Sequence, residues 1–303
     1  MCKKNTTTVN EFILGGFPVG HSFHIVFFSV ILLMYILTII GNGLIVMIVR
    51  TSHKLYTPMY FFLSNLSFLE IWYTTTVPKM LETFVEVETK ICVYCCLVQA
   101  FFHFFMGSTE FFILAVMSFD RYLAICKLLL YATIMTTRVC LQLSIGAWFG
   151  GFMAILFQTI LVFQLPTCDS NIINYFCCDI GLILKIACTD SCLIELLGFL
   201  AAITAILSSL MFTMVSYIYI ISTIVRIPSA TGCQKVFSTC ASQLTVVSIL
   251  YRAVMFMYLR PSVHSSLTLW KVVSVLNTVF TPLLNPFIYT IRNTKVKAAS
   301  GMR

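Results

Sequence analysis

Long apolar runs alternate with short polar segments along the whole chain. A helix needs about 20 apolar residues to cross the roughly 30 Å hydrocarbon core of a bilayer, and runs that meet this requirement recur along the sequence. Their predicted bounds are 24–49, 58–80, 93–121, 139–163, 193–225, 236–259 and 269–291. The pattern predicts an all-α fold, a seven-transmembrane helix bundle that forms one domain over residues 1–303.

The composition agrees with a membrane protein and argues against a soluble one. Of the 303 residues, 59% are hydrophobic and 10% are charged, whereas soluble domains carry about 25% charged residues. The formal net charge is +8, but the Lys and Arg residues are scattered singly at the ends of apolar runs. That arrangement is typical of topology signals, so we expect contact with membrane lipid and no nucleic-acid partner.

Loop charge predicts the orientation of the chain. The second and fourth connections between the predicted spans lie on one side of the membrane, and that side carries mainly acids, among them Glu82, Glu86 and Glu88. The first, third and fifth connections and the tail carry the bases Arg50, Lys54, Lys127, Arg138, Arg226, Lys235, Arg292, Lys295, Lys297 and Arg303. The positive-inside rule then predicts an extracellular N-terminus (1–23) and a cytoplasmic tail (292–303). In that orientation, Asn5-Thr6-Thr7 is an external glycosylation acceptor.

Polar residues inside the predicted spans indicate an interior site. Ionisable side chains in a bilayer cost roughly 2.5–3.5 kcal/mol on insertion scales, so they normally face the bundle interior. Two acids lie well within the spans: Glu110 in the third span and Glu70 midway through the second. Two carboxylates at similar depth repel unless one is protonated or a cation lies between them. Glu70 and Glu110 are therefore a candidate sodium site. At 100° per residue, one stripe of the third span holds His103, Gly107, Glu110, Leu114 and Arg121.

The seventh span contains a proline within Asn285-Pro286-Phe287-Ile288-Tyr289. Proline removes a backbone hydrogen bond and lets a helix bend. A kink between Asn and Tyr near the cytoplasmic face predicts a hinge.

The ordered set of motifs resembles the rhodopsin-like (class A) G-protein-coupled receptors and, among them, the olfactory (odorant) receptors. The resemblance covers essentially the whole chain. It is carried by Glu11-Phe12-Ile13-Leu14, Gly41-Asn42, Pro58-Met59-Tyr60-Phe61-Phe62-Leu63, Pro78-Lys79-Met80-Leu81, Met117-Ser118-Phe119-Asp120-Arg121-Tyr122-Leu123-Ala124-Ile125-Cys126, Lys235-Val236-Phe237-Ser238-Thr239-Cys240 and Pro282-Leu283-Leu284-Asn285-Pro286-Phe287-Ile288-Tyr289.

This resemblance implies a plasma-membrane receptor, and no enzyme. Its ligands would be small volatile or apolar molecules, and its partner a stimulatory olfactory-type G protein that raises cAMP. The implied ligand-binding residues are His103, Phe104, Gly107, Ser108, Phe111, Ala202, Ala205, Tyr251, Val254, Met255, Tyr258, Val275 and Thr278. The implied coupling switch consists of Asp120, Arg121, Tyr122, Tyr217, Lys235, Ser238, Thr239 and Tyr289. For His103, a packed interhelical histidine remains the alternative.

The resemblance also implies two disulfides that hold the second external loop over the bundle. Cys96 matches the cysteine at the top of the third span, and Cys178 matches its partner in the loop. Cys168 and Cys188 would form the additional bridge. The neighbouring cysteines leave a pairing of Cys96 with Cys188 open.

Four positions depart from the family pattern. Leu128 stands in the second cytoplasmic loop where the family has proline, Gln243 replaces a histidine in the sixth span, and Arg252 replaces a glycine. Tyr175 replaces the histidine of a proposed metal-binding motif, so we expect no metal there. These changes leave open a signalling-impaired receptor.

Other classes of membrane protein fit less well. A transporter or channel is expected to show an internal repeat or paired broken helices, and neither is visible. A metalloprotease would carry the HExxH motif, which is missing. A receptor for amines needs an acid where His103 stands, although a non-olfactory class A receptor for another small ligand remains an alternative.

Overall fold

Helices dominate the structure, a computed structural model that describes residues 11–15, 21–52, 56–86, 89–166, 171–173, 175–188, 191–226, 230–258 and 267–292. Within these ranges, side chains are described except at 21–23, 230–239, 242, 256–258, 267–270 and 289–292. The helices are α1 (His21–Thr51), α2 (Pro58–Tyr73), α3 (Val77–Val85), α4 (Val93–Cys126), α5 (Leu128–Ile134), α6 (Thr137–Phe163), α7 (Ile180–Lys185), α8 (Cys192–Val225), α9 (Ala230–Tyr258), α10 (Leu267–Val275) and α11 (Thr281–Arg292).

The seven predicted spans are confirmed to within a few residues. The first and the third to sixth are α1, α4, α6, α8 and α9. The second is α2 and α3 joined by a 3₁₀ turn at Thr74–Thr76, and the seventh is α10 and α11 joined by a π-helical turn at Leu276–Phe280. Among the described residues, five helical stretches are by themselves long and apolar enough to cross a membrane. The chain is a seven-transmembrane bundle.

Prolines cause the breaks in the second and seventh spans. Pro78 disfavours a helical conformation at the residue before it and cannot donate a backbone hydrogen bond, and the 3₁₀ turn ends immediately before this pair. Pro282 likewise cannot donate to the carbonyl four residues earlier, which lies within the π turn. Pro286 leaves the Pro282 carbonyl free in the same way, and Asn42 Nδ2 of α1 donates to that carbonyl at 3.1 Å.

Gly41 allows α1 to approach this kink. A Cβ at Gly41 would lie 3.0 Å from Cγ of Pro286, which is closer than the 3.5–4.0 Å at which carbon atoms normally pack. The pair Gly41-Asn42 therefore has a local role. The glycine makes room for the proline ring, and the asparagine satisfies the carbonyl that the proline leaves unbonded.

Three short strands close one end of the bundle, which we call the outer end; the opposite end, with Asp120 and Arg121, is the inner end. The strands are β1 (Glu11–Leu14), β2 (Thr89–Cys92) and β3 (Ile172–Ile173), in the order β2-β1-β3. β1 pairs antiparallel with β2 and parallel with β3. The sequence analysis did not predict this small sheet, because strands this short have no periodic pattern of their own.

The N-terminal strand is part of the outer core. Its alternation places Phe12 (0% exposed) and Leu14 (1% exposed) inside a cluster with α3, the start of α4 and the second outer loop, which joins α6 to α8. Glu11 faces outward. The burial of two large apolar side chains fixes the N-terminal segment across the outer end.

Two disulfides anchor the start of α4. Cys96 bonds Cys178 of the second outer loop, as the resemblance implied, so the alternative pairing of Cys96 with Cys188 is wrong. Cys92 bonds Cys95 one turn away, a bridge that the sequence analysis did not predict. Cys188 is disulfide-bonded, while Cys168 and the glycosylation candidate Asn5 lie outside the described residues. Burial, followed by the charge of Asp179, raises the pKa of the Cys177 thiol well above its usual value.

Candidate functional site

A cavity of about 90 Å³ lies in the outer half of the bundle. Its walls come from α4, α6, α8 and α9, with contributions from the second and seventh spans. Pockets for drug-sized molecules measure roughly 300 Å³ or more. This cavity therefore accepts only a smaller molecule, unless its side chains move to enlarge it. The residues expected there that do line it are His103, Phe104, Gly107, Ser108, Phe111, Ala202, Ala205 and Val254.

Several of the residues expected in the pocket lie elsewhere. Met255 does not line the cavity and is 45% exposed on the outside of α9, because it follows Val254 by one residue and so points about 100° away. Tyr251 packs behind Phe111, with ring centroids 5.3 Å apart, and donates to Ser209 at 2.8 Å. Val275 packs in the outer core instead. Thr278 is buried beside Tyr73, and the Tyr258 side chain lies outside the described residues.

The second span supplies a wall that the sequence analysis missed. The ring of Tyr73 stacks on His103 with centroids 4.6 Å apart, and the Tyr73 hydroxyl lies 3.5 Å from His103 Nε2. A polar ring within an apolar span was the available signal. The other lining residues that were not predicted as ligand contacts are Glu110, Ala154, Ile155, Ile206, Leu250 and Asn277.

Three polar atoms of α4 residues that line the cavity give it its chemistry. His103 Nδ1, Ser108 Oγ and Glu110 Oε1 are buried and have no hydrogen-bond partner within the part of the chain that the structure describes. A buried polar atom without a partner costs about 1–3 kcal/mol. A ligand that carries a hydrogen-bonding group would recover part of this cost, and the surrounding apolar wall would hold the rest of the molecule.

The two buried acids form a contact between three spans. Glu70 is 0% exposed and Glu110 is 3% exposed, and their carboxyl groups lie within hydrogen-bonding reach of each other. Asn285 Nδ2 donates to Glu70 Oε1. Because Glu110 also lines the cavity, a continuous set of contacts leads from the cavity to the kink of the seventh span.

The inner end holds Asp120 and Arg121 in a closed arrangement. Arg121 Nη2 lies 3.6 Å from Asp120 Oδ2, and the Tyr131 hydroxyl of α5 donates to Asp120 Oδ1 at 2.8 Å. Burial, followed by the Asp120 charge, raises the pKa of Tyr131, so this hydroxyl stays protonated and remains a donor. The carboxylate of Asp120 therefore bridges the third span and the second inner loop.

The remaining residues of the predicted switch surround this pair or lie outside the described side chains. Tyr217 of α8 is buried in the inner cluster, and Tyr122 packs on Tyr219 with ring centroids 5.6 Å apart. Gln243 Nε2 donates to Ser118 Oγ at 3.1 Å and to the Leu114 carbonyl at 3.4 Å. The side chains of Lys235, Ser238, Thr239 and Tyr289 lie outside the described residues.

One family profile and several curated proteins align with nearly the whole chain. The profile described as "Olfactory receptor" matches residues 31–300. Olfactory receptor 6X1 of Homo sapiens is 61% identical over 297 residues, covering 98% of this chain and 95% of the relative. Olfactory receptor 6F1 of Homo sapiens is 51% identical over 294 residues (97% and 96%), and Olfactory receptor 287 of Rattus norvegicus is 50% identical over 297 residues (98% and 96%).

Proposed function

Because this chain belongs to the olfactory receptor family of seven-transmembrane G-protein-coupled receptors, we propose that its outer cavity binds a small, mostly apolar odorant with one hydrogen-bonding group. The family senses odorants at the plasma membrane and is not a family of enzymes. We further propose that the partner is a stimulatory olfactory-type G protein, which raises cAMP. The N-terminus is then extracellular and the tail cytoplasmic, in agreement with the distribution of basic residues.

The observation that carries this proposal is the composition of the cavity. Its apolar wall provides the burial that an apolar ligand needs, at about 25 cal/mol per Å². His103, Ser108 and Glu110 of α4 line the same cavity, and each has a buried polar atom without a hydrogen-bond partner among the described residues. A carbonyl or hydroxyl group placed there would exchange hydrogen bonds with α4 and fix the orientation of the ligand.

The same helix connects ligand binding with the inner end. His103 and Arg121 belong to one uninterrupted helix, α4, and are about 27 Å apart at 1.5 Å per residue. Glu110 lies between them and contacts Glu70, which in turn binds Asn285 beside the seventh-span kink. A ligand that binds better when α4 and the seventh span are rearranged shifts the population toward that state.

At the inner end, the active state requires that Arg121 be released. In the arrangement described, Asp120 is bound by both Arg121 and Tyr131. A shift of α4 against α5 would break the contact between Tyr131 and Asp120. Arg121 would then become available to Tyr217 and to the G protein when its side chain rotates away from Asp120. Gln243 replaces a titratable histidine with a neutral donor, so its bond to Ser118 does not change with pH.

We also propose that the buried acids hold a sodium ion. The donor set fits a small hard cation, because Glu70 Oε2, Glu110 Oε1 and Asn285 Oδ1 are buried oxygens without a hydrogen-bond partner among the described residues. A cation would relieve the repulsion between the two carboxylates. Its presence would couple the second, third and seventh spans through charge.

A signalling-impaired receptor remains the second candidate, and two observations favour it. Leu128, which stands in place of a proline, is 72% exposed, and the adjoining Leu129 is 95% exposed in α5. Arg252 is exposed on α9, with no ion pair within the described residues. The first change alters the expected G-protein contact, and the second places a charge near the lipid.

A cAMP reporter screen against an odorant panel, with surface staining in parallel, tests the proposal. We expect His103→Ala to change the ligand preference and to leave surface expression unchanged. Met255→Ala is the matched control, because Met255 lies outside the cavity. An unchanged odorant profile for His103→Ala would refute the pocket assignment, and a receptor that reaches the surface but raises no cAMP with any odorant would favour the impaired alternative.

A further inference from the structure

A second and much larger depression lies on the outside of the bundle. It is a groove of about 790 Å³ between α2, α4 and α6, on the lipid-facing side and separate from the odorant cavity. Phe61 and Phe68 of α2 form one wall, Phe105 of α4 forms the floor, and Trp148 and Phe149 of α6 form the other wall. A depression of this size that faces the bilayer is filled by part of a lipid molecule.

The groove has the length of one membrane leaflet. Its α6 wall extends from Leu141 to Phe152, eleven residues further along the helix, or about 16 Å at 1.5 Å per residue. Half of the bilayer hydrocarbon core measures about 15 Å. Since α6 begins at the inner end, the groove extends from the inner interface to about the middle of the membrane.

The walls of the groove leave little for a polar ligand to bind within the membrane. Asn65 Oδ1 already accepts from Ser144 Oγ at 2.9 Å and from Trp148 Nε1 at 3.4 Å, and its Nδ2 donates to the Phe61 carbonyl at 2.9 Å. The aromatic rings pack edge to face, for example Phe105 on Trp148 with centroids 5.8 Å apart. The deep part of the groove therefore suits a hydrocarbon chain.

The inner mouth of the groove carries a positive charge. Arg50, in the last turn of α1, lines the groove at this end. It is exposed and forms no ion pair with any residue that the structure describes. A guanidinium group at the level of the lipid headgroups attracts anionic lipid, an effect of about fivefold in affinity per basic residue.

We propose that this groove binds one anionic phospholipid of the cytoplasmic leaflet. Its headgroup pairs with Arg50, and one acyl chain lies along the aromatic walls of α2, α4 and α6. The charge at the mouth favours an anionic phospholipid over a sterol, whose single hydroxyl carries no charge. The proposal does not depend on the identity of the odorant.

Tryptophan fluorescence provides a direct test, because Trp148 lines the groove. Full-length receptor carrying Trp72→Phe and Trp270→Phe retains Trp148 as the only one of its 3 tryptophans. The protein is placed in nanodiscs of zwitterionic phosphatidylcholine. Brominated phosphatidylserine or brominated phosphatidylcholine, which quench tryptophan on contact, is then added at the same low mole fraction. Arg50→Gln is the test variant, and Arg138→Gln is the control, since Arg138 lies at the same end but outside the groove.

We expect brominated phosphatidylserine to quench Trp148 at about fivefold lower mole fraction than brominated phosphatidylcholine, with the difference lost in Arg50→Gln and kept in Arg138→Gln. Equal quenching by the two lipids would overturn the proposal, as would full preference in Arg50→Gln. Relief of quenching by cholesterol, but not by unbrominated phosphatidylserine, would assign the groove to a sterol instead.

Discussion

Gly151→Ala tests the close approach of α6 to α4. A Cβ at this position would lie 2.1 Å from Thr109 Oγ1 and 2.8 Å from both Cα and N of Thr109. The hydroxyl can rotate away, but the backbone atoms of a long helix cannot. Because carbon atoms pack at about 3.5–4.0 Å, the two helices would have to separate by about 0.7–1.2 Å.

The expected cost follows from two opposing effects. Overpacking a closely fitted contact costs about 1–3 kcal/mol, whereas replacing Gly by Ala within a helix gains about 0.8–1.0 kcal/mol. Gly150→Ala is the matched control, since its Cβ would meet only the Phe112 ring at 3.5 Å. This variant should therefore show only the gain in helix propensity. The two variants should therefore differ by about 1–3 kcal/mol, or roughly 5- to 150-fold in the ratio of folded to unfolded protein.

Thermal unfolding of the purified receptors in nanodiscs measures this difference. A functional effect should accompany it, because Ala154 and Ile155 line the outer cavity one turn after Gly151. Moving α6 away from α4 enlarges the cavity at that wall, so the potency of an odorant that binds there should fall. If Gly151→Ala unfolds at the same temperature as Gly150→Ala, the interhelical contact described here is incorrect.

Two further predictions concern the outer core and the lipid-facing surface. Phe12→Ala removes a fully buried side chain, which costs about 3–5 kcal/mol of stability, so surface staining should fall sharply. Glu11→Ala, on the outward face of the same strand, should leave surface staining unchanged. Equal staining of both variants would show that β1 does not stabilise the fold. Arg252→Gly removes an exposed charge from α9 that lies about 9 Å from its outer end, and surface expression and cAMP response should both rise; if neither rises, the charge is not what limits this receptor.

Hydropathy was sufficient to predict the helical spans, because each must satisfy the same length and polarity requirement in the bilayer. The periodicity of α4 similarly placed His103, Gly107 and Glu110 toward the interior. Tyr73 of the second span was not predicted as a wall of the cavity, because the rotation of that span about its own axis is set by packing against the neighbouring helices and not by hydropathy. The same reason applies to Val275 and Thr278 of the seventh span, which were expected in the cavity and do not line it.

The outer sheet could not be predicted for a different reason. Ile13 pairs with Lys90 on one side and with Ile172 on the other, so the information lies in contacts that are distant in sequence. The Cys92–Cys95 bridge depends on a local backbone geometry at the start of α4 that cysteine spacing does not specify. Residue types thus indicated the chemistry of the site, while the walls of the cavity depended on packing.

The position of β1 in the middle of the sheet sets an order of events during biosynthesis. The strand is translated early, yet β3 follows about 160 residues later, which takes roughly 8–32 s at 5–20 residues per second. During that interval Phe12 and Leu14 have no complete site in which to be buried. The accessibility of these two side chains therefore distinguishes a nascent receptor, whose fourth span and second outer loop are not yet in place, from one that is ready to leave the membrane in which it was made.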